Sequence, residues 1–380
     1  MTQAAVLAQL GNTPLGMRNK IINGAMEIDQ RNAGASVTPS TGTYTLDRWR
    51  CFNNTDGSFT IQQSSTSPNG FKNSIVATVT STDSSLGTTQ QAKIQQKIEG
   101  FTITDLGFGT ANAKTVTLSF WVRSSVTGTY GVGFINEAGN RSYVATYNVN
   151  SANTWEQKSI TIIGDTSGTW ATSNTTGLNI QWSLGMGADY QTTEGSWVSD
   201  ECSTTSSSIN LLATNGATFY LTGVQLEVGS VATEFERRQY GTELALCQRY
   251  YTKSFNTLIA PSNGSSTTTL STYYGAYTSV IDRPSTGGPP TANDSTTAPN
   301  GTYGSLQVFP VTMRTNPSVT YYGNSNGNWW LQGVGSGGAT WYGPQGYMPG
   351  VAGFAPTFAS PISTDAIGIV FGHWTASAEL

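Results

Sequence analysis

The strongest constraint in this sequence is a period of two. Val116, Leu118, Phe120 and Val122 alternate with Thr117, Ser119 and Trp121. Successive side chains of a strand point to opposite faces, so this run has one apolar face to bury. Similar short runs occupy 59–62, 74–80, 92–98, 128–135, 155–163, 177–184 and 218–227. About ten such strands separated by turn residues predict a double-sheet jelly roll. The alternation also predicts that each sheet keeps one wet face.

The 380 residues exceed one compact core and predict two domains. Charged residues are 11% of the chain, while 10 Trp and 17 Tyr supply material for a core, which argues against disorder. Lys and Arg number 18 against 22 acidic residues, a net charge of −4. That excludes the rows of cations that duplex DNA demands, and the scattered lysines form no evident groove for single strands. Cys51, Cys202 and Cys247 fit no zinc or redox spacing and read as reduced thiols. His373, the single histidine, leaves no material for a histidine metal site or a Ser-His relay, and no cofactor is expected. No apolar run is long enough to span a membrane, and no secretory signal precedes the first domain.

Residues 1–20, with Gly11, Pro14 and Gly16, read as an extended arm with a short helix over 4–10, either frayed or used for attachment. Residues 21–236 form the first domain. A linker over 237–254 carries a helix over 242–252, with Thr242 as cap and Glu243 favouring the dipole. Residues 255–380 form a second β domain with strands near 273–281, 304–313, 318–322 and 366–374. Polar or Pro- and Gly-rich loops are expected over 262–269 and 284–301.

Two groups of residues suggest chemistry. Aromatic rings stack on the C–H faces of sugars, and Trp329, Trp330, Trp341 and Tyr342 lie in a Gly-rich segment that reads as loop. Tyr273 and Tyr274 are further candidates. The alternative is that all six pack a core or a subunit interface, where Trp and Tyr are equally favoured. Trp49, Phe120 and Trp121 read as core. Asp189, Glu194, Asp200 and Glu201, with Tyr190 and Trp197, offer the carboxylates that glycoside hydrolysis needs. They lie on a polar stretch where carboxylates are ordinarily solvated, so no catalytic residue is assigned.

Three stretches carry a resemblance. The first is Ile21-Ile22-Asn23-Gly24-Ala25-Met26-Glu27-Ile28-Asp29-Gln30-Arg31, followed by Asp47-Arg48-Trp49. The second runs from Phe219-Tyr220-Leu221-Thr222-Gly223-Val224-Gln225-Leu226-Glu227 to Thr233-Glu234-Phe235-Glu236. The third is Glu243-Leu244 with Cys247-Gln248-Arg249-Tyr250-Tyr251. Together they resemble tail-fibre-like virion proteins of bacteriophages, marine and cyanobacterial ones in particular. Residues 21–236 also resemble carbohydrate-binding-module jelly rolls, in which an opening Asn-Gly strand pairs with a closing aromatic strand.

The resemblance implies an all-β protein with two β-sandwich (jelly-roll-like) domains joined by a short helix. It implies a virion appendage, commonly trimeric, and the chain is read as a homotrimeric tail fibre, not an enzyme, attached to other virion proteins through residues 1–20. The distal domain would contact a host surface glycan. Synthesis in the host cytoplasm and release by lysis would reconcile an extracellular-looking surface with the missing signal. A capsid-decorating or head fibre, or a polysaccharide depolymerase, are the alternatives. Related modules place acidic residues of the closing strand near a structural calcium. Here Thr222 and Gly223 stand there, leaving Glu27 and Glu227, and a hard cation needs six to eight oxygens, so no metal is assigned.

Overall fold

The computed structural model describes residues 17–263, 277–281, 301–303, 307–323, 329–334, 340–342, 344–359 and 367–380. For 277–281, 301–303, 329–334, 340–342, 344–349, 355–359 and 367–371 the description is of backbone. The expected helix over 4–10, Tyr273 and Tyr274, and the loop over 284–300 lie outside the described residues. The chain divides into two compact units. One comprises 34–243 with the residues before 29, and the other 244–379 with 29–33.

The first unit contains β1 (Thr41–Leu46), β2 (Trp49–Asn53), β3 (Ser58–Ser64), β4 (Ser74–Ser81), β5 (Gln91–Glu99) and β6 (Val116–Ser124). It continues with β7 (Gly128–Ile135), β8 (Ser142–Val149), β9 (Glu156–Ile162), β10 (Thr176–Met186), β11 (Trp197–Val198) and β12 (Thr218–Val228). These form a seven-stranded sheet ordered β1-β2-β5-β10-β7-β8-β11 and a five-stranded sheet ordered β3-β4-β12-β6-β9. The named pairings in both are antiparallel, as the sandwich expected from the sequence requires.

The period of two places Val116, Leu118, Phe120 and Val122 on one face of β6, all fully buried. They meet Ile94, Val132, Ile180 and Trp182 from the seven-stranded sheet in one core cluster. Ring contacts bridge the two sheets. Phe120 meets Trp182 edge-on at 5.9 Å and Tyr147 at 5.0 Å, while Tyr130 meets Phe219 at 5.6 Å. Trp49 is core, as expected. Trp121 is not: it occupies the opposite face of β6 and is half-buried. Phe120 and Trp121 are adjacent, so alternation sends only one of them inward.

The opening Asn23-Gly24 meets the closing strand β12, but not as a strand. Residues 21–33 are largely turns, with Asn23 and Met26 at φ near +58° and +57°. Lys20 N donates to Leu226 O at 2.9 Å and Val224 N to Gly24 O at 3.0 Å, two bonds that substitute for a ladder. The Asn23 side chain joins the backbones of Ile28 and Asp47, and Trp49 Nε1 donates to Asn23 O at 2.9 Å. Asn23 N donates to Glu243, and Arg238 contacts Glu236 and Glu243 at 3.3 and 3.4 Å. Glu227, one candidate calcium ligand, accepts from Thr233 N and Oγ1, from Gln225, and pairs with Arg18 at 3.3 Å. Its lone pairs are committed to donors within the chain.

The helix spans Tyr240–Gln248 rather than 242–252. It stops early because Tyr251–Lys253 forms β13, paired with the last strand from Tyr251↔Ser377 to Lys253↔Thr375.

The second unit continues with β14 (Tyr277–Ile281), β15 (Gly301–Tyr303), β16 (Gln307–Val308), β17 (Ser318–Tyr322), β18 (Trp329–Val334) and β19 (Thr340–Tyr342). β20 (Pro344–Gly350), β21 (Gly353–Ala359) and β22 (Ile367–Ser377) complete it. β22 pairs with β13, β14, β17 and β18, and β21 pairs with β15, β16 and β20. The strand expected over 304–313 shrinks to Gln307–Val308 among the described residues, since Pro310 has no amide to donate. Phe309, Met313, Phe354 and Trp374 are its buried cluster.

Candidate functional site

The outward face of the seven-stranded sheet departs from the expected wet surface. On β5, Ala92, Ile94 and Ile98 face the core, so Gln91, Lys93, Gln95 and Lys97 face out. Yet Gln91, Lys93 and Gln95 are 7%, 4% and 1% exposed. Strand register lines them up with their neighbours. One row is Arg50↔Gln95↔Gln181↔Gly133, across β2, β5, β10 and β7. A second is Phe52↔Lys93↔Ser183, and a third is Lys97↔Asn179↔Ile135.

The cover comes from the segment between β10 and β12. β7 carries Gly131 and Gly133 on its outward face, between the inward Tyr130, Val132 and Phe134. A Cβ on Gly133 would stand 2.7 Å from Ser203 Cα, and one on Gly131 would stand 2.7 Å from Thr204 Cα. The two glycines therefore let the Cys202–Thr204 backbone lie directly on the sheet. This leaves a cleft of about 290 Å³ over β2, β5 and β10. Its floor is Gln95, Asn179, Gln181 and Lys93. Arg50 and Phe52 bound one side, and Glu201 and the turn at 136–139 bound the other.

Gln181 is the hub of the floor. Its Oε1 accepts from Lys93 Nζ at 2.8 Å and from Ser203 Oγ at 2.9 Å. The Lys93 ammonium also lies 3.5 Å from the half-exposed Glu201 carboxylate, 5.4 Å from the Phe52 ring and 6.0 Å from the Tyr190 ring. Asn179 Nδ2 donates to Gln95 Oε1 at 3.3 Å, leaving Gln95 Nε2 and Asn179 Oδ1 buried without a partner. Turning both amides over would still leave one donor and one acceptor free. Gln91 Oε1 and Ser183 Oγ are also buried and unpaired. Such groups cost about 1–3 kcal/mol each until something bonds them.

Burial lowers Lys93 to about 8, opposed by Glu201 and assisted by the nearby Arg50 and Lys97. Lys97 is also held below the ordinary lysine range, by burial first and then by Arg50. The Tyr190 phenol is raised by burial, then by Glu201 and Asp189. The cleft thus gathers three cations that the sequence scatters. It can present fixed donors and acceptors, the Phe52 ring and a positive flank to a polar ligand.

Of the residues singled out in the sequence, Glu201 lines this cleft, and the four described aromatics belong to the second unit. Trp329, Trp330, Trp341 and Tyr342 sit in strands rather than in a loop, with register Trp329↔Tyr342 and Trp330↔Trp341. Aromatic residues suit a paired strand, and the glycines around them hid that pattern. Tyr273 and Tyr274 lie outside the described residues. Of the four carboxylates, three take local donors. Asp189 accepts from Thr88 at 3.4 Å, Glu194 accepts from Thr146, and Asp200 binds the Glu201 amide at 2.8 Å. Only Glu201 of the four lines the cleft. Gln95, Asn179, Gln181 and Lys93 went unnoticed because glutamine and lysine on alternate positions look like a solvated strand face. The detectable signal was Gly131-x-Gly133, two missing side chains on one outward face.

No family model matches this sequence, and no curated protein matches it. Among solved structures, the enzymatically active domain of tailspike protein 4 from bacteriophage CBA120 aligns with 56% of this chain at 15% identity and a TM-score of 0.31. This chain spans 22% of that one. A family 4 carbohydrate-binding module aligns with 55% of this chain and 98% of its own, at 15% identity and a TM-score of 0.28. A putative sugar binding protein from Bacteroides thetaiotaomicron aligns with 56% of this chain and all of its own, at 11% identity and a TM-score of 0.30. These likenesses are too slight to carry an argument, and the functional reading rests on the cleft.

Proposed function

We propose that this chain is a glycan-binding structural protein whose seven-stranded sheet holds a saccharide in the Gln95–Asn179–Gln181 cleft. The observation that carries the reading is the free donor and acceptor on the Gln95–Asn179 pair, buried on the floor of an open cleft. A sugar offers vicinal hydroxyls that each donate and accept, so one ring can satisfy both amide atoms at once. Phe52, on the cleft wall, supplies a ring for one of its C–H faces.

The proposed setting is a bacteriophage virion, with the chain as a tail fibre that contacts a host surface glycan and joins other virion proteins through residues 1–20. Support comes from the three sequence stretches described above. A capsid-decorating fibre would use the same cleft and differ only in its place on the particle. The cleft is read as binding without turnover: of its two carboxylates, Glu201 faces Lys93 and Glu137 is exposed on a turn.

Affinity electrophoresis through gels containing soluble bacterial and plant polysaccharides tests the binding. At least one should retard the protein, and Gln95→Ala or Asn179→Ala should weaken that retardation about three- to tenfold, the worth of one or two neutral hydrogen bonds. No retardation by any polysaccharide would remove the reading. Release of reducing ends would replace it with the depolymerase.

A further inference from the structure

We infer that the cleft selects acidic saccharides, seating a uronate carboxylate or sulfate ester on the flank formed by Arg50, Lys97 and Lys93. This rests on the glycan-binding reading and narrows it.

The chain as a whole is acidic, at −4, and its cations are few, yet three of them converge here. Register explains the convergence. Arg50 is paired with Gln95 on the neighbouring strand, and Lys93 and Lys97 stand two residues either side of Gln95 on β5. Several other cations of the first unit face carboxylates, Arg141 on Asp165 at 2.6 Å, Lys158 on Glu156 at 2.6 Å and Lys20 on Asp105 at 2.8 Å, while Arg123 and Arg237 lie singly against backbone carbonyls and aromatic rings. Among the described residues, neither Arg50 nor Lys97 has a carboxylate partner. Arg50 donates through Nε to Gly42 O at 3.3 Å, which orients the guanidinium without neutralising it. Lys93 meets Glu201 only at 3.5 Å, from a carboxylate that is 38% exposed.

The charge is also sorted by side. The cations occupy β2 and β5, whereas Glu137 and Glu201 lie on the β7–β8 turn and the covering segment. A ligand bearing an acid group at one end and hydroxyls at the other would be oriented by this arrangement. Its acid would accept from Arg50 and Lys97, while its hydroxyls would meet the free atoms of Gln95 and Asn179. Charge-assisted bonds in a sheltered cleft are stronger than the same bonds in open water. Burial depresses both lysines first and the nearby Arg50 adds to it, and a bound anion would offset that added repulsion.

The test compares the full chain at 0.15 M salt on polygalacturonate, dextran sulfate, neutral galactan, neutral dextran and polyglutamate, a polyanion with no sugar. An acidic polysaccharide should bind at least about tenfold tighter than its neutral counterpart and than polyglutamate. The first two probes distinguish carboxylate from sulfate. Arg50→Gln and Lys97→Gln should each weaken acidic binding about tenfold. Both side chains are half-buried at the cleft edge, so thermal melting can verify that the variants fold. Equal or tighter binding of a neutral polysaccharide would overturn the acidic preference and leave the glycan-binding cleft in place. Equal binding of polyglutamate would overturn it too, as charge alone would suffice. Failure of all the polysaccharides would remove both readings.

Discussion

His373 and Lys93 are buried bases that stay in place for different reasons. His373 lies flat against Phe255 at 4.2 Å, with Nδ1 sharing a hydrogen bond with Ser254 Oγ at 3.1 Å. Burial alone pushes it down to about 4 from an ordinary 6.5. Between those values the unfolded chain binds a proton that the folded chain refuses. Stability from this group is therefore complete above pH 6.5 and falls as pH drops towards 4. The loss by pH 4.5 should be on the order of 2–3 kcal/mol. Urea midpoints of the wild type and His373→Gln at pH 7 and 4.5 check this, and the variant should lose less on acidification. Lys93 has the same sign in a higher pH window. Its folded value of about 8 lies below the ordinary 10.5, so its cost is full below pH 8 and fades as pH rises towards 10.5. That cost is borne at the floor of the cleft.

Among the elements, β7 joins fold to site. Its inward residues, Tyr130, Val132 and Phe134, are fully buried, and its outward glycines receive the covering segment. Gly133→Val would push a side chain into Ser203 and Cys202 while leaving the inward face untouched. We expect destabilisation of about 1–3 kcal/mol, as for an overpacked contact, together with loss of polysaccharide retardation. Thermal melting and affinity electrophoresis on the same variant would show both effects. A melting point and retardation unchanged from the wild type would mean that the cover does not bear on the sheet. The strands also mark where sequence reasoning succeeded and failed. Alternation gave Val116, Leu118, Phe120 and Val122 of β6 their common direction correctly, because burial on one face imposes the period. It gave the outward face of β5 to solvent wrongly, because cover by a segment about a hundred residues downstream leaves no local trace. The same locality misplaced the helix end at Tyr251, whose strand partner Ser377 lies far along the chain.

In the whole molecule, the recognisable motifs and the candidate site are different sets of residues. Asn23-Gly24, Asp47-Arg48-Trp49 and the closing strand meet in one hydrogen-bonded knot around Asn23, Glu227 and Glu243. They were legible because a buried polar knot tolerates few substitutes. The cleft residues were not, since Gln, Asn and Lys acquire meaning there only through register. The aromatic pairs at 329–330 and 341–342 were legible as residues but not as strands. Assembly is a question at this scale as well. Light scattering should give about 121 kDa if three copies of the 40.3 kDa chain close a ring, as the tail-fibre reading expects, and a stable monomer would count against it.

The segment laid over Gly131 and Gly133 separates two inheritances. The floor residues Gln95, Asn179 and Gln181 stand on core strands, whereas Glu201 and the turn at 136–139, which wall the cleft on that side, stand between strands. New recognition can therefore arise by exchanging that turn and the covering stretch, with the floor strands left as they are. A lineage under pressure to follow a changing surface could rewrite its binding preference without renegotiating its stability.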